Sequence, residues 1–310
     1  MGERAFRSRP FSGQDDLDKL RRFLVEIART AGPANASSHV GDLLWARYRY
    51  ADSVSNPVDR LRIWESENGD VLAYAWFYPP ADVEINIDPR HHNAELLAAM
   101  LTWADECRRG VAESDPPKPL STSAFADDDA TTSQLSALGF VRTDEAPMFF
   151  FTRSLTDPIP DPVVPDGFAV RPLLGESEYE ERVAIHREVW HPSRVTVEAY
   201  RRLRTAPGYD PDLDLVAVAP DGTFAAYAGL WHDPENATGE FEPVGARPAY
   251  RGRGFTKAVL LEGLRRLRDR GATLAIVYTP ASSEPARRLY ESVGFQVVNR
   301  WEYWQRPDQV

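Results

Sequence analysis

Two mixed α/β halves in tandem, each a central mixed β-sheet flanked by helices, is the architecture that this 310-residue sequence predicts. Three observations carry that expectation. Residues 156–166, Thr-Asp-Pro-Ile-Pro-Asp-Pro-Val-Val-Pro-Asp, hold four prolines. Such a run neither continues a helix nor sits in a central strand, so it reads as a stiff linker between residues 1–155 and 167–310. The two halves also resemble each other. Gly69-Asp70-Val71-Leu72-Ala73-Tyr74-Ala75 parallels Gly222-Thr223-Phe224-Ala225-Ala226-Tyr227-Ala228, Ile87-Asp88-Pro89 parallels Ala246-Arg247-Pro248, and Leu138-Gly139-Phe140 parallels Val293-Gly294-Phe295. Order is kept and spacing nearly so. Finally, strand-like and helix-like periods alternate within each half.

The first element is an amphipathic helix with Leu17, Leu20, Phe23, Leu24 and Ile27 on one face and Ser12 and Asp15 as its cap. Tyr179, Val183, Ile185, Val189 and Trp190 fill the same place less cleanly in the second half. Leu213–Ala219, a turn at Pro220-Asp221-Gly222 and Phe224–Trp231 read as a hairpin. Glu240–Ala246 is the next strand. Phe255–Arg270 is a helix striped by Val259, Leu260, Leu264 and Leu267 and closed by Gly271. A strand at Leu274–Tyr278, a short helix at Pro285–Ser292 and a last strand at Phe295–Trp304 complete the half. The run Ala112–Asp115 and the trio Asp127-Asp128-Asp129 read as solvated loop.

Composition narrows the function. A formal charge of −11 argues against nucleic acid as the main partner. No apolar run approaches the roughly 20 residues of a membrane span, and Met1–Pro10 lacks the apolar core of a signal peptide, so a cytoplasmic protein without a membrane partner is expected. A single cysteine, Cys107, excludes an internal disulfide and a cysteine-based metal cluster. The adjacent His91 and His92 diverge on any regular element and do not make a metal site; none is expected.

The chemistry concentrates in Val244-Gly245-Ala246-Arg247-Pro248-Ala249-Tyr250-Arg251-Gly252-Arg253-Gly254-Phe255-Thr256. A strand end runs through a turn into an Arg/Gly loop that opens a helix. Such a loop aims several N–H groups at one point where the helix dipole favours negative charge, and its glycines remove side chains that would block a phosphate. Glu240 and Glu242 lie two residues apart on the preceding strand and so share a face. Apolar burial raises a carboxyl pKa toward neutrality, as a general base needs.

Arg251-Gly252-Arg253-Gly254-Phe255-Thr256 resembles the (Gln/Arg)-x-x-Gly-x-(Gly/Ala) loop of the GNAT N-acetyltransferases, and Ala286-Arg287-Arg288-Leu289-Tyr290-Glu291-Ser292-Val293-Gly294-Phe295 resembles their Ala-x-x-x-Tyr-x-x-x-Gly-Phe block. The resemblance covers about Phe168–Arg306, with a faded copy over about Phe11–Arg153, and implies a tandem GNAT protein. It implies acetyl-CoA as cosubstrate, bound at its pyrophosphate by the amides of Arg251, Gly252, Arg253, Gly254, Phe255 and Thr256. The backbone of Val244, Gly245 and Ala246 would pair with the pantetheine arm. Tyr290 would protonate the leaving thiolate. Glu242, Glu240 or a water chain would deprotonate the amine. Two positions depart from the pattern: Thr256 replaces Gly or Ala, and Ser283 stands where an Asn often touches CoA. In the faded copy, aligned without gaps, the loop reads His92-Asn93-Ala94-Glu95-Leu96-Leu97, glycine-free and carrying a carboxylate, and Leu135 takes the place of Tyr290. The expectation is an N-acetyltransferase acting through residues 167–310 on a small-molecule amine, with residues 1–155 a degenerate domain; the competing class is a non-catalytic acyl-CoA-binding or regulatory module.

Overall fold

The structure is a computed structural model that describes residues 6–49, 60–111 and 118–307; the run Ala112–Asp115 lies outside them. In the amino-terminal half the elements are β1 (Arg7–Pro10), α1 (Gly13–Ala31), α2 (Val40–Arg49), β2 (Leu61–Glu65), β3 (Val71–Tyr78), β4 (Asp82–Ile87), α3 (Ala94–Arg109), β5 (Leu120–Phe125), α4 (Asp129–Ala137), β6 (Val141–Arg142) and β7 (Met148–Ser154). In the carboxy-terminal half they are β8 (Ala169–Pro172), α5 (Tyr179–Val189), α6 (Val197–Leu203), β9 (Asp214–Val218), β10 (Phe224–Asp233), β11 (Thr238–Ala246), α7 (Phe255–Asp269), β12 (Leu274–Pro280), α8 (Glu284–Ser292) and β13 (Gln296–Arg306). With β6 set aside, both halves repeat one order of strands and helices, as the internal sequence similarity implies.

The helices form for the expected reasons. In α1 the predicted stripe is the buried one. Ser12 holds the cap position, but its side chain caps nothing; instead the Asp16 carboxylate accepts the Ser12 N–H at 2.6 Å. A carboxylate one turn into the helix is well placed against the dipole, and Asp16 is fixed there by a two-pronged bond from Arg9. Trp190 falls just beyond α5, half exposed, with its Nε1 donating to the Tyr227 hydroxyl at 2.9 Å. The trio Asp127-Asp128-Asp129 is not free loop. Asp128 caps α4, accepting from Thr131 N at 2.9 Å, and Asp127 accepts from Asn299 Nδ2 at 2.7 Å.

The sheets of the two halves are fused. Among the described residues all strands join one sheet in the order β1-β2-β3-β4-β5-β13-β7-β12-β11-β10-β9-β8, with β6 pairing β13. The last strand of each half therefore lies in the other half's territory. β13 pairs β5 from Trp301↔Phe125 to Arg306↔Leu120, and β7 pairs β12 from Met148↔Pro280 to Ser154↔Leu274. β7 and β13 also pair each other. A continuous apolar run suits a strand covered on both faces, and Phe150 and Phe151 of β7 are fully buried. Rings from four strands meet at the seam: Phe125 and Trp301 are 4.6 Å apart, Phe150 and Tyr278 5.3 Å, and Tyr278 and Trp301 4.9 Å.

Helices α1, α2, α5 and α6 share one core that spans both halves, joining Leu17, Leu24, Leu44, Tyr74, Tyr200 and Tyr227. The other face carries separate cores under α7 with α8 and under α3 with α4. The proline-rich segment is extended, as expected, and pinned at Ile159, which is buried in the core under α7.

The interlaced strands make each half depend on the other. Residues 167–310 expressed alone leave β12 and β13 without their β7 and β5 partners. Circular dichroism and denaturant titration are expected to show no cooperative unfolding for that fragment, and co-expression with residues 1–155 is expected to restore one transition like that of the intact chain.

Candidate active site

The site begins where two parallel strands part. β11 and β12 pair only at Thr238↔Leu274, Gly239↔Ala275 and Glu240↔Ile276. Beyond that point β11 carries a bulge: Glu242 and Pro243 lie opposite the single Gly229 of β10. Pro243 has no N–H to offer a neighbour. Gly229 is needed here because a Cβ would sit 3.1 Å from the Glu242 carbonyl oxygen and 3.2 Å from Pro243 Cδ. That carbonyl accepts from Trp231 Nε1 at 2.9 Å. The strand re-pairs with β10 through Val244, Gly245 and Ala246, while its other edge opens toward the cleft.

The Arg/Gly loop closes one end of the cleft. A tight turn at Pro248–Tyr250 leads to Gly252 and Gly254, with φ of 73° and 86°, and Gly254 is the N-cap of α7. No atom lies within 4 Å of where a Cβ would stand at either glycine, and no side chain caps the helix. The amides of the first turn are thus left for a ligand, as the phosphate-site expectation requires. Arg251 is held by its Nε on the Ala246 carbonyl at 3.2 Å, and Arg253 lies over the rings of Phe168, Tyr250 and Phe255. Thr256 falls in the first turn of α7. Ser283 is the N-cap of α8, with its side chain free of a capping bond and its N–H on the Pro280 carbonyl at 2.9 Å.

Tyr290 is the one buried residue of α8, edge-on to Phe295 at 5.9 Å. Burial, then the Glu242 charge, push its hydroxyl well above its usual range, so it holds its proton at any working pH. Glu242 is partly exposed; burial raises it to about 7, against the pull of Arg49. Glu240 is fully buried and pushed by burial to about 8. The two carboxyls share a face, as alternation predicts, and neither is the solvated edge group that an exposed strand would give.

Three further polar groups, and one glycine that admits them, come from places with no sequence motif. His39 precedes α2, and its Nδ1 lies 3.0 Å from Glu240 Oε2. Asp42, in the first turn of α2, accepts the His39 N–H at 2.9 Å and lies close enough to Glu240 and Tyr278 to act on both electrostatically. Burial, then Glu240, raise Asp42 well above its usual range. Glu84 of β4 accepts from Asn86 Nδ2 at 2.8 Å and from the Tyr78 hydroxyl at 3.2 Å. Gly41 lets α2 approach: a Cβ there would lie 2.3 Å from Glu240 Oε2 and 2.5 Å from Trp231 Cγ. A glycine early in a helix and beside an aspartate was the only sequence sign of this docking.

Comparison with known proteins agrees with this geometry. The chain matches the acetyltransferase (GNAT) family over residues 176–295. It is 30% identical over 250 residues to a mycothiol acetyltransferase of Thermobispora bispora, covering 76% of this chain and 79% of that protein. The chain belongs to the GNAT acetyltransferase family. Another mycothiol acetyltransferase, from Nocardioides sp., is 26% identical over 299 residues, with coverage of 91% and 95%. Among solved structures, a tandem GNAT protein from the clavulanic acid biosynthesis pathway superposes with a TM-score of 0.68 at 16% identity, covering 98% of this chain and all of its own. A GCN5-related N-acetyltransferase from Sphaerobacter thermophilus gives 0.64 at 19%, with coverage of 98% and 97%.

The protein is therefore an acetyltransferase, and its two GNAT-like halves have diverged. In the amino-terminal one the turn at Pro89–His91 leads to α3 at Ala94, a path two residues shorter than Pro248 to Phe255. The ungapped alignment of His92–Leu97 with the loop is corrected accordingly: Asn93, not Glu95, takes the place of Gly254. Asn93 Oδ1 accepts the Leu96 N–H at 2.9 Å, so α3 has a side-chain cap where α7 has none. Glu95 adds a carboxylate to that first turn. Leu135 is the one buried residue of α4, as Tyr290 is of α8. The strands still part, with one pair at Asp82↔Ser121, and the gap holds a cavity of about 110 Å³ bordered by Glu84, Thr122, Leu135 and Trp301. His92 is committed to Thr131 Oγ1 at 3.0 Å. Among the described residues no cluster of three or more His, Cys, Asp or Glu has the arrangement to hold a metal, and no helix is long and apolar enough to cross a membrane.

Raised carboxyl pKa values make the fold sensitive to base. In the unfolded chain Glu240 and Glu242 release their protons near pH 4.5, whereas folded they hold them to about 8 and about 7. The folded state binds more protons in that window, so stability falls as pH rises through it. Glu242→Gln removes one such penalty. Its Tm is expected to exceed wild type by about 3 °C or more at pH 8 and to match it near pH 5, measured by thermal melts across that range.

Proposed function

We propose that this enzyme transfers the acetyl group of acetyl-CoA to a primary amine of a small-molecule acceptor by direct attack, in the site built by residues 167–310. The observation that carries the reading is the parting of β11 and β12, with Glu242 on one side, Tyr290 nearby and an uncapped helix terminus at the end. Residues 1–155 and 167–310 are the two diverged units, joined by residues 156–166.

Acetyl-CoA enters as a substrate. The open amides from Arg251 to Thr256 suit its pyrophosphate, the free edge of Val244, Gly245 and Ala246 suits an extended arm, and the Ser283 side chain is available for a further polar contact. Glu242, poised near neutrality, takes a proton from the acceptor ammonium. The freed amine attacks the thioester carbonyl, an amide bond forms, the C–S bond breaks, Tyr290 gives its proton to the departing thiolate, and the second proton of the attacking nitrogen returns to the Tyr290 oxygen as the amide is completed. N–H donors fixed beside the carbonyl stabilise the charge that develops there.

The acceptor class follows from the charge around the cleft. Asp42, Glu84 and Glu242 interact through one small region, and aromatic Tyr74, Tyr78 and Tyr278 stand among them. Such a setting favours a cationic amine over a neutral or anionic acceptor. The mycothiol acetyltransferases among the relatives make an acceptor of that kind the first to try.

Release of free thiol from acetyl-CoA with a panel of amines tests the reading. Glu242→Gln is expected to lower kcat/KM by about 10²–10⁴, and Tyr290→Phe to lower kcat by a similar factor while leaving acetyl-CoA affinity unchanged. Unchanged turnover in both variants would overturn these roles. A separate calorimetric titration is expected to give one acetyl-CoA per chain, lost in Gly254→Glu, where bulk and a like charge would meet the phosphates.

A further inference from the structure

The Glu240 carboxyl presents a problem of hydrogen count. The Nδ1 atom of His39 lies 3.0 Å from Glu240 Oε2 and also accepts the Gly41 N–H at 3.1 Å. An imidazole nitrogen that accepts is unprotonated. It then has no proton to give Glu240, so the proton in the contact with Oε2 must belong to the carboxyl. At the other end of the ring, Nε2 lies 3.2 Å from Thr238 Oγ1, which suits an Nε2–H donor. The alternative, an ionised Glu240 beside a protonated Nδ1, would leave the Gly41 N–H buried against another N–H, at a cost of about 1–3 kcal/mol for an unmet donor.

We propose that His39, a residue of the amino-terminal half, keeps Glu240 as a neutral acid donating to its Nδ1, so that Glu242 is left as the carboxylate that receives the amine proton. The inference rests on the acetyl-transfer reading above. His39 and Glu240 are then positioning residues: neither touches the acceptor, and together they remove a second negative charge from beneath the base. The environment agrees from every side. Around Glu240 stand Asp42 and, farther along α2, Arg49; Glu84 faces Asp42 from β4, Glu242 follows on β11, and Tyr278 lies on β12. Asp233 and His232 of β10 act on His39. Asp42 and Glu240 are two buried carboxyls that act on each other, and like charges so placed disfavour the doubly ionised state. Burial lowers the affinity of His39 for a proton, in keeping with a neutral ring.

The proton order runs from Glu240 Oε2 to His39 Nδ1 and from His39 Nε2 to Thr238 Oγ1, each a donor meeting an acceptor, while Glu240 Oε1 has no hydrogen-bond partner among the described residues. Gly41 sits at its centre because any larger residue would drive α2 off Glu240 and Trp231.

Two measurements on the intact chain test this. Imidazole nitrogen NMR of histidine-labelled enzyme, with His39 assigned by its loss in His39→Gln, reads the tautomer directly. The expected result is an unprotonated Nδ1 and a protonated Nε2 at every point between about pH 6 and 8. An imidazolium, or a proton on Nδ1, overturns the proposal. The second is kcat/KM against pH for Glu240→Gln, whose amide is neutral and still donates to Nδ1. It is expected to stay within about 3-fold of wild type with the same acid limb, whereas a general base so replaced costs about 10²–10⁴-fold. A collapse of activity or a displaced limb in Glu240→Gln overturns the assignment. If Glu240→Gln fails to fold, the NMR arm on wild type decides. If Glu242→Gln keeps wild-type activity while His39 shows the expected tautomer, the base reading has failed and the neutral Glu240 stands.

Discussion

The exchange of β7 and β13 is the constraint on which the rest of the molecule depends. A strand inserted into another domain's sheet contributes its whole ladder of backbone bonds to that domain, and neither partner can leave without exposing those groups. Here the exchange is mutual, so the halves form one sheet with one shared helical face. The fixed distance between the halves follows from this. So does the reach of α2 onto β11, since a helix hinged on a flexible linker would not hold His39 at 3.0 Å from Glu240.

That rigidity makes a buried acidic cluster tolerable. Carboxyl groups withdrawn from water resist ionisation because the interior stabilises charge poorly. Three of them, Asp42, Glu240 and Glu242, meet at the junction and all are raised. They are not equivalent. Glu240 has no exposed surface and is sealed by Gly41 and Trp231, while Glu242 sits on a bulge that turns it toward the cleft. Position alone therefore sorts two residues of one strand into different chemical states. The fold bears a cost in stability near neutral pH, a common trade where a site needs a group poised for proton transfer.

The amino-terminal half has exchanged one task for another. The α3 terminus has lost two residues of loop and is capped by its own Asn93, and the tyrosine position holds Leu135. Those changes remove a place for phosphate and a proton donor. What remains is shape: β4 and β5 still part, α2 still lies over the shared face, and the Glu84 and Asp42 carboxyls stand at the junction. A duplicated domain can lose its chemistry and still be indispensable to the geometry of its twin.

The sequence by itself determined the local structure and placed the Arg/Gly loop and the Tyr290 block in one half only. The stripe of α1, the Pro-Asp-Gly hairpin, the Gly-ended helices and the Arg/Gly loop are short-range patterns set by backbone sterics and by period, and each lies within a residue or two of its predicted place. The pairing of Glu240 with Glu242 on one face was legible for the same reason. What tertiary structure alone decided is everything that depends on residues far apart in the chain. Which strand neighbours β5 or β12 depends on long-range pairing that no local pattern encodes, and the near-identical order of elements in the two halves made an exchanged and an unexchanged sheet equally consistent with the sequence. His39 is separated from Glu240 by 201 positions; its role, and hence the difference between Glu240 and Glu242, comes from a contact between domains, where burial and hydrogen-bond partners set the charge of a group that residue type leaves open.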